Sequence, residues 1–165
     1  MPERPQLAVL DSTPIIALAL IGKLDLLQRL YSEVAIPPAV QQEVLAGGLG
    51  AVGSVELQQA DWLHVVPLQD PPRAAMLSDL DRGEAETIAL AQELNADLVL
   101  IDERLARRHA KRLGLKLSGT LGVLLKAKSL GLIPSISPLV EQLLRGGIRL
   151  SESVVAEALE LAGEA

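Results

Sequence analysis

The sequence predicts an α/β chain, a parallel sheet sandwiched between helical layers, and three observations carry that expectation. Short apolar runs of strand length, Leu7 to Leu10 and Leu98 to Ile101, alternate with longer stretches whose apolar residues recur at helical spacing. Both runs are apolar throughout, the pattern of strands covered on both faces, as parallel strands are. Both are followed by an acid, Asp11 and Asp102, at the strand ends where open α/β sheets place their ligands.

Taken in order, Leu7 to Leu10 is the first strand, and Ser12, Thr13 and Pro14 offer an N-cap with proline at the first helical position before Ile15 to Leu20. Gly22 breaks that helix, and Leu24, Leu27, Leu30 and Tyr31 resume a helical repeat. Val34 to Ile36 is a second strand, closed by Pro37 and Pro38, which start a helix through Val40 and Val44. Gly47 to Gly53 is a glycine-rich connection, expected to be the mobile loop; a short helix follows over Ser54 to Ala60 and a strand over Leu63 to Val66. Pro67 to Pro72 is a loop, Met76 to Leu80 a helical turn, and a long amphipathic helix begins at Arg82.

After Asp102 comes a basic helix, then a weak strand over Leu115 to Leu117. Ser118, Gly119 and Thr120 form a turn that caps a helix over Leu121 to Leu130. Leu139 to Leu144 and Val154 to Leu161 are two last helices, joined through Gly146 and Gly147, with Ser151 as a cap.

The length of 165 residues and an apolar share of 49% suit one domain with an ample core, here entirely aliphatic because there is no Phe and the only aromatic residues are Tyr31 and Trp62. Base stacking on aromatic platforms is thereby disfavoured. With no Cys and two lone histidines, His64 and His109, disulfides and zinc–thiolate sites are excluded and a zinc centre is disfavoured. The net charge of −6 argues against a coat for nucleic acid, though not against local basic patches. No apolar stretch reaches ~18 uninterrupted residues and the start lacks a signal-peptide pattern, so the chain is expected to be soluble and cytoplasmic, with no membrane partner.

Four acids stand out by position. Asp11 and Asp102 close apolar strands, while a projection at roughly 100° per residue puts Glu43 among Val40 and Ala39 and Glu84 between Ile88 and Ala91, with Glu86 on the far side. Carboxylates rarely go inside without a partner, and if these converge they need a cation. An all-oxygen donor set favours a hard ion, Mg²⁺ or Mn²⁺, suited to phosphodiester chemistry. Each acid alone also has a plainer use: Asp11 and Asp102 as turn or cap residues, Glu84 as a complement to the helix dipole. Arg104, Arg107, Arg108, Lys111 and Arg112 share one arc of the basic helix, and Arg104, Arg108 and Lys111 are the candidates for contacting phosphates. Lys126 and Lys128 are weaker candidates, and Ser12, Ser118 and Thr120 are explained as caps.

The ordered set LAVLDST, IPPAVQQEV, RGEAETIALA, LVLIDERLARRHA and LSGTLGVLLKAKSLGLIP resembles a PIN domain, in particular a prokaryotic PIN-like subgroup compared with VapC-type toxins. The resemblance runs from about Leu7 to Pro134, leaving 135–165 as a C-terminal helical extension of one domain spanning 1–165. It implies a three-layer α/β/α sandwich and a Mg²⁺- or Mn²⁺-dependent endoribonuclease, with Asp11, Glu43, Glu84 and Asp102 as metal-holding catalytic acids. Glu86 stays open beside Glu84 as the third acid, and Glu103 as an outer ligand. The resemblance also implies the toxin of a toxin–antitoxin pair: a homodimer whose acidic groove takes RNA and is blocked by a small antitoxin. From the residues alone comes the weaker expectation that surplus apolar positions such as Leu90, across its helix from Ile88, have faces to bury. Two other readings remain. One is a PIN-like binding or regulatory protein whose acids are structural; the other is an Asp-dependent phosphoryl-transfer enzyme, weakened by Thr13 where a second acid would stand.

Overall fold

The computed structural model describes residues 6–47 and 51–165. Its centre is a five-stranded, all-parallel sheet in the order β3-β2-β1-β4-β5. From β1 (Leu7–Leu10) the chain passes through α1 (Ser12–Leu20) and α2 (Leu26–Leu30) to β2 (Glu33–Ile36). Helices α3 (Pro38–Leu45) and α4 (Ser54–Gln59) lead on to the edge strand β3 (Leu63–Val65). The chain then crosses back over α5 (Pro72–Ala75) and α6 (Arg82–Glu93) to β4 (Leu98–Leu100), on the other side of β1. It continues through α7 (Arg104–Arg112), β5 (Leu117–Ser118), α8 (Thr120–Ser129), α9 (Ser137–Arg145) and α10 (Glu152–Leu161).

The apolar strands work because alternate residues face opposite helical layers. Ala8, Leu10, Val34, Ile36 and Leu100 pack with α1, α2 and α8, whereas Val9, Ala35, Val99 and Ile101 pack with α6 and α7. The result is the three-layer α/β/α sandwich expected. Helices α9 and α10 join the first layer through Ile136, Val140, Leu143, Ile148 and Ala158, all buried. Glu164 fastens the tail: its carboxylate accepts from the backbone N–H groups of Ile136 (2.9 Å) and Ser137 (2.8 Å) and from Lys128 (2.9 Å), and those donors hold its pKa down to about 2.

Several local expectations are corrected. The first helix starts at Ser12, capped by Asp11, whose Oδ1 accepts from the Ser12 N–H at 2.8 Å, so Pro14 lies in the helix's first turn and not at its first position. The helical turn before α6 covers Pro72–Ala75 rather than Met76 to Leu80. The N-cap of α8, Gly119, has no side chain to offer, and the capping acceptor is Asp102 from the end of β4. The glycine-rich connection falls partly on residues 48–50, outside the described residues. Leu90 is fully buried in the same apolar cluster as Ile88, so it is core and supplies no surface for a second subunit.

Truncating a buried leucine removes its transfer free energy and leaves a cavity, so Leu90→Ala is expected to destabilise the fold by about 2–5 kcal/mol. Urea unfolding measures this, and light scattering of the same variant should return the wild-type mass; a change of mass with little loss of stability would restore Leu90 to an interface.

Candidate active site

The strand order creates the site. Strands β1 and β4 are neighbours, with Leu10 opposite Leu100, yet their outgoing connections run to opposite sides of the sheet. A crevice opens outside such a switch point. Asp11, the first residue past β1, and Asp102, the second past β4, stand on either side of it, and the Asp11 N–H continues the ladder to the Leu100 carbonyl at 3.0 Å.

Two helices supply the remaining acids. On α6, Asp81 and Glu84 form a capping box: Asp81 Oδ1 accepts from the Glu84 N–H at 2.8 Å and Glu84 Oε1 from the Asp81 N–H at 3.1 Å. Between them, Gly83 leaves a gap that three carboxylates face. A Cβ on Gly83 would lie 2.7 Å from Glu43 Oε2, 3.5 Å from Asp11 Oδ1 and 3.6 Å from Asp81 Oδ1. Glu43, from α3, reaches the gap while remaining open to solvent. Asp102 is held from α8, its Oδ1 accepting from the Thr120 N–H at 2.9 Å and its Oδ2 from the Thr120 hydroxyl at 2.6 Å.

Burial, with repulsion from neighbouring acids behind it, raises three of these carboxyls, Asp11, Glu43 and Glu84. Burial, opposed by the Ser12 N–H and reinforced by Asp81, Glu43 and Asp102, lifts Asp11 to about 7. Burial also lifts Glu84 to about 8, against the Asp81 N–H and with the repulsion of Asp81, Asp11 and Glu103. Glu43 is raised by burial, while a hydrogen bond with Ser12 lowers it and Asp81 raises it further. Glu103 goes the other way. Burial pushes it up, but the N–H groups of Ala106 and Leu105 and a hydrogen bond with Glu84 outweigh that and leave it lowered. The hydrogen bond between Glu84 and Glu103 thus joins a carboxyl whose pKa is raised to one whose pKa is lowered.

The four sequence-predicted acids therefore meet around Asp11. Among the described residues, no three acids as placed stand at the spacing of a metal-ligand group. Glu86 is on a different errand. It bonds Arg82 at 2.9 Å and accepts from the Ala39 N–H at 3.4 Å, linking α6 to the start of α3, whereas Glu84 lies near enough to Asp11 for their charges to repel. Asp81 was missed, although the spacing Asp81-x-x-Glu84 before an amphipathic helix is a capping-box signal that could have found it.

The basic helix divides. Arg107 turns inward, its Nη1 donating to the Ile101 carbonyl at 2.6 Å and the Ser118 carbonyl at 3.0 Å, so it ties β4 to β5. Arg104, Arg108 and Lys111 are exposed and form no ion pair among the described residues. Arg104 lies in the first turn beside the acids, with Lys111 about 10 Å further along the axis. Lys126 lies over the Tyr31 ring and Lys128 holds Glu164, so both are engaged elsewhere. His109 has the partner that sequence alone did not reveal: its Nε2 lies 2.8 Å from Asp79 Oδ2, joining α7 to the loop before α6.

Comparison with known proteins agrees with this fold. A family model described as a PIN domain matches residues 7–164. The fold is similar to that of a PilT N-terminus domain protein from the hyperthermophilic archaeon Sulfolobus solfataricus, with a TM-score of 0.52 and 17% identity over 89% of this chain and 98% of that one. No curated protein matches the chain. Among the described residues, no helix is long and apolar enough to cross a membrane.

The raised carboxyls set a pH dependence. Asp11 and Glu84 keep their protons in the fold up to about 7 and about 8, but in the unfolded chain release them near 3.8 and 4.5. The folded state binds more protons through that window, so stability falls as pH rises from about 4 to about 8. Thermal melts in chelator at pH 5, 7 and 8.5 should give a descending Tm, with a shallower descent for Asp11→Asn. A Tm that climbs over this range would contradict the arrangement.

Proposed function

Because the chain belongs to the PIN domain family, whose members are generally nucleases, we propose that it is an endoribonuclease dependent on Mg²⁺ or Mn²⁺. The observation that carries the reading is the gap at Gly83, faced by Glu43, Asp11 and Asp81 at the sheet's switch point. The residues fit a hard divalent cation: the donors are all oxygens, and two of the carboxyls keep protons that a cation would displace. Asp11, Glu43, Glu84 and Asp102 would hold it. When bound, such an ion supplies Lewis-acid stabilisation of charge on a phosphodiester.

The chain's own groups do the rest. Thr120 fixes the Asp102 carboxylate through two donors, and Ser12 steadies Glu43 from the first residue of α1. Glu84 and Glu103 are hydrogen-bonded to each other beside the gap, the first with a raised pKa and the second with a lowered one. Arg104, Arg108 and Lys111 hold the RNA phosphates along α7.

The proposal extends to the toxin of a toxin–antitoxin pair, a homodimer blocked by a small antitoxin. Its support is the resemblance to VapC-type toxins and exposed apolar side chains such as Met76 (84% exposed) and Leu161 (70% exposed), which an assembly would cover. A second reading, a binding or regulatory protein, is favoured by one observation: no three acids among the described residues stand at ligating spacing, and Asp11, Asp81, Glu84 and Asp102 each already accept a backbone N–H.

Cleavage of labelled single-stranded RNA in Mg²⁺ or Mn²⁺, with and without EDTA, separates the readings. Asp11→Asn should abolish it while the Tm holds or rises, because Asn still caps α1 but relieves the crowded charge. Mn²⁺ should raise the wild-type Tm by mass action and the variant's much less. If the wild type cuts no RNA and takes no stability from either metal, the regulatory reading prevails.

Gly83→Ala offers an independent check. The new methyl improves helix propensity by roughly 1 kcal/mol yet displaces Glu43, so folding should survive while cleavage drops at least tenfold. Arg108→Ala should weaken RNA binding and flatten its salt dependence by about one phosphate contact, leaving the Mn²⁺ effect on Tm unchanged.

A further inference from the structure

Beside the acids, on the flank away from Glu43, a cleft of about 450 Å³ opens between α1, the segment after β4 and the turn joining α9 to α10. Its walls are Ile16 and Ile148, and its rim carries Thr13, Asp102, Glu103 and Arg149. A mainly apolar concavity of this size with a few polar groups at its mouth matches small-ligand sites, which run ~300–1,000 Å³. The opposite flank has its own opening of about 400 Å³, bordered by Gln42, Glu43, Asp81 and Arg82. The carboxylates thus lie between two recesses.

Arg149 is the unexpected member, because it comes from the extension past Pro134. It stands on an anchored turn. Helix α9 ends in a Schellman arrangement, with Ile148 N–H bonding the Leu143 carbonyl at 3.0 Å and Gly147 N–H the Leu144 carbonyl at 3.2 Å, around Gly147 at φ +90°. Gly146 sits so close to α1 that a Cβ there would lie 2.2 Å from Leu20 Cδ2. Ile148 packs into the core and leaves only an edge, 6% exposed, on the cleft. The turn is therefore held in place, and Arg149 with it. Yet Arg149 shares its cleft with two carboxylates and forms an ion pair with neither, so its guanidinium remains available to an anion.

We propose that this cleft is a nucleotide subsite: one base of single-stranded RNA enters between Ile16 and Ile148, and Arg149 holds the phosphate attached to it. Burial between aliphatic walls takes the place of aromatic stacking in a chain with no Phe, and a guanidinium forks onto phosphate oxygens. The strand then runs across the carboxylates from one recess to the other. The choice of RNA as ligand rests on the ribonuclease reading; the cleft's preference for an apolar body carrying a phosphate does not.

The test uses the full chain in EDTA, so that nothing is cut. Nucleoside 5′-monophosphates, the matching nucleosides and inorganic phosphate are titrated while the methyl resonances of Ile16 and Ile148 are followed by NMR. The monophosphates should shift both methyls and phosphate alone should not. Arg149→Ala should weaken the monophosphates about tenfold and the nucleosides less than twofold, with Arg149→Lys intermediate. Monophosphates that leave both methyls unmoved, or bind Arg149→Ala as tightly as wild type, overturn the proposal. In cleavage assays Arg149→Ala should raise KM with kcat little changed. A wild type that cuts RNA beside an Arg149→Ala variant of unaltered KM keeps the nuclease and removes the subsite. Monophosphate binding that depends on Arg149 in a wild type that cuts nothing keeps the subsite and removes the nuclease.

Discussion

The pairing of β1 with β4 is the constraint on which the crevice depends. Because these strands lie side by side in parallel, their ends stand next to each other at one edge of the sheet. Because the chain leaves them toward opposite sides, no connection covers the space between. Asp11, one residue past β1, and Asp102, two past β4, face one another across it. The helices α3 and α6, packed together over the same edge, then deliver Glu43, Asp81 and Glu84 with no special backbone geometry beyond the room left by Gly83.

Most of the acids in this crevice also do structural work, which explains how so much negative charge is tolerated. Asp11 caps α1, Asp81 and Glu84 cap α6 reciprocally, Glu103 caps α7, and Asp102 caps α8 from a distance in sequence. Each carboxylate meets backbone N–H groups at a helix N-terminus, where the dipole favours negative charge. The dipoles do not fully compensate. Burial first, and repulsion among the acids second, raise Asp11 to about 7 and Glu84 to about 8, an uncompensated charge that a cation would relieve. The structural and the chemical accounts of these residues are therefore compatible, since capping holds each carboxylate in place.

Positive charge is distributed with similar economy. Arg107 is consumed in joining β4 to β5, while Arg104, Arg108 and Lys111 are exposed and form no ion pair among the described residues. The C-terminal helices, packed into the core of one layer and fastened by Glu164, bring Arg149 to the rim of the crevice from more than a dozen residues past Pro134. The segment that the sequence left without a role thus shapes one flank of the site.

The sequence by itself determined the sandwich, the order of its strands and helices, and the candidate acids Asp11, Glu43, Glu84 and Asp102. Those follow from local signals: apolar runs of strand length, helical periodicity, and charge at positions where charge does not otherwise belong. Tertiary structure alone decided that Asp102 caps α8, that Arg107 is structural, that His109 pairs with Asp79, that Leu90 is core, and that Arg149 lines a cleft with Asp102 and Glu103. Each of these depends on which strand lies beside which and on how helices distant in the chain come to rest on the sheet. Periodicity along one segment gives the direction a side chain points but not what waits there to meet it.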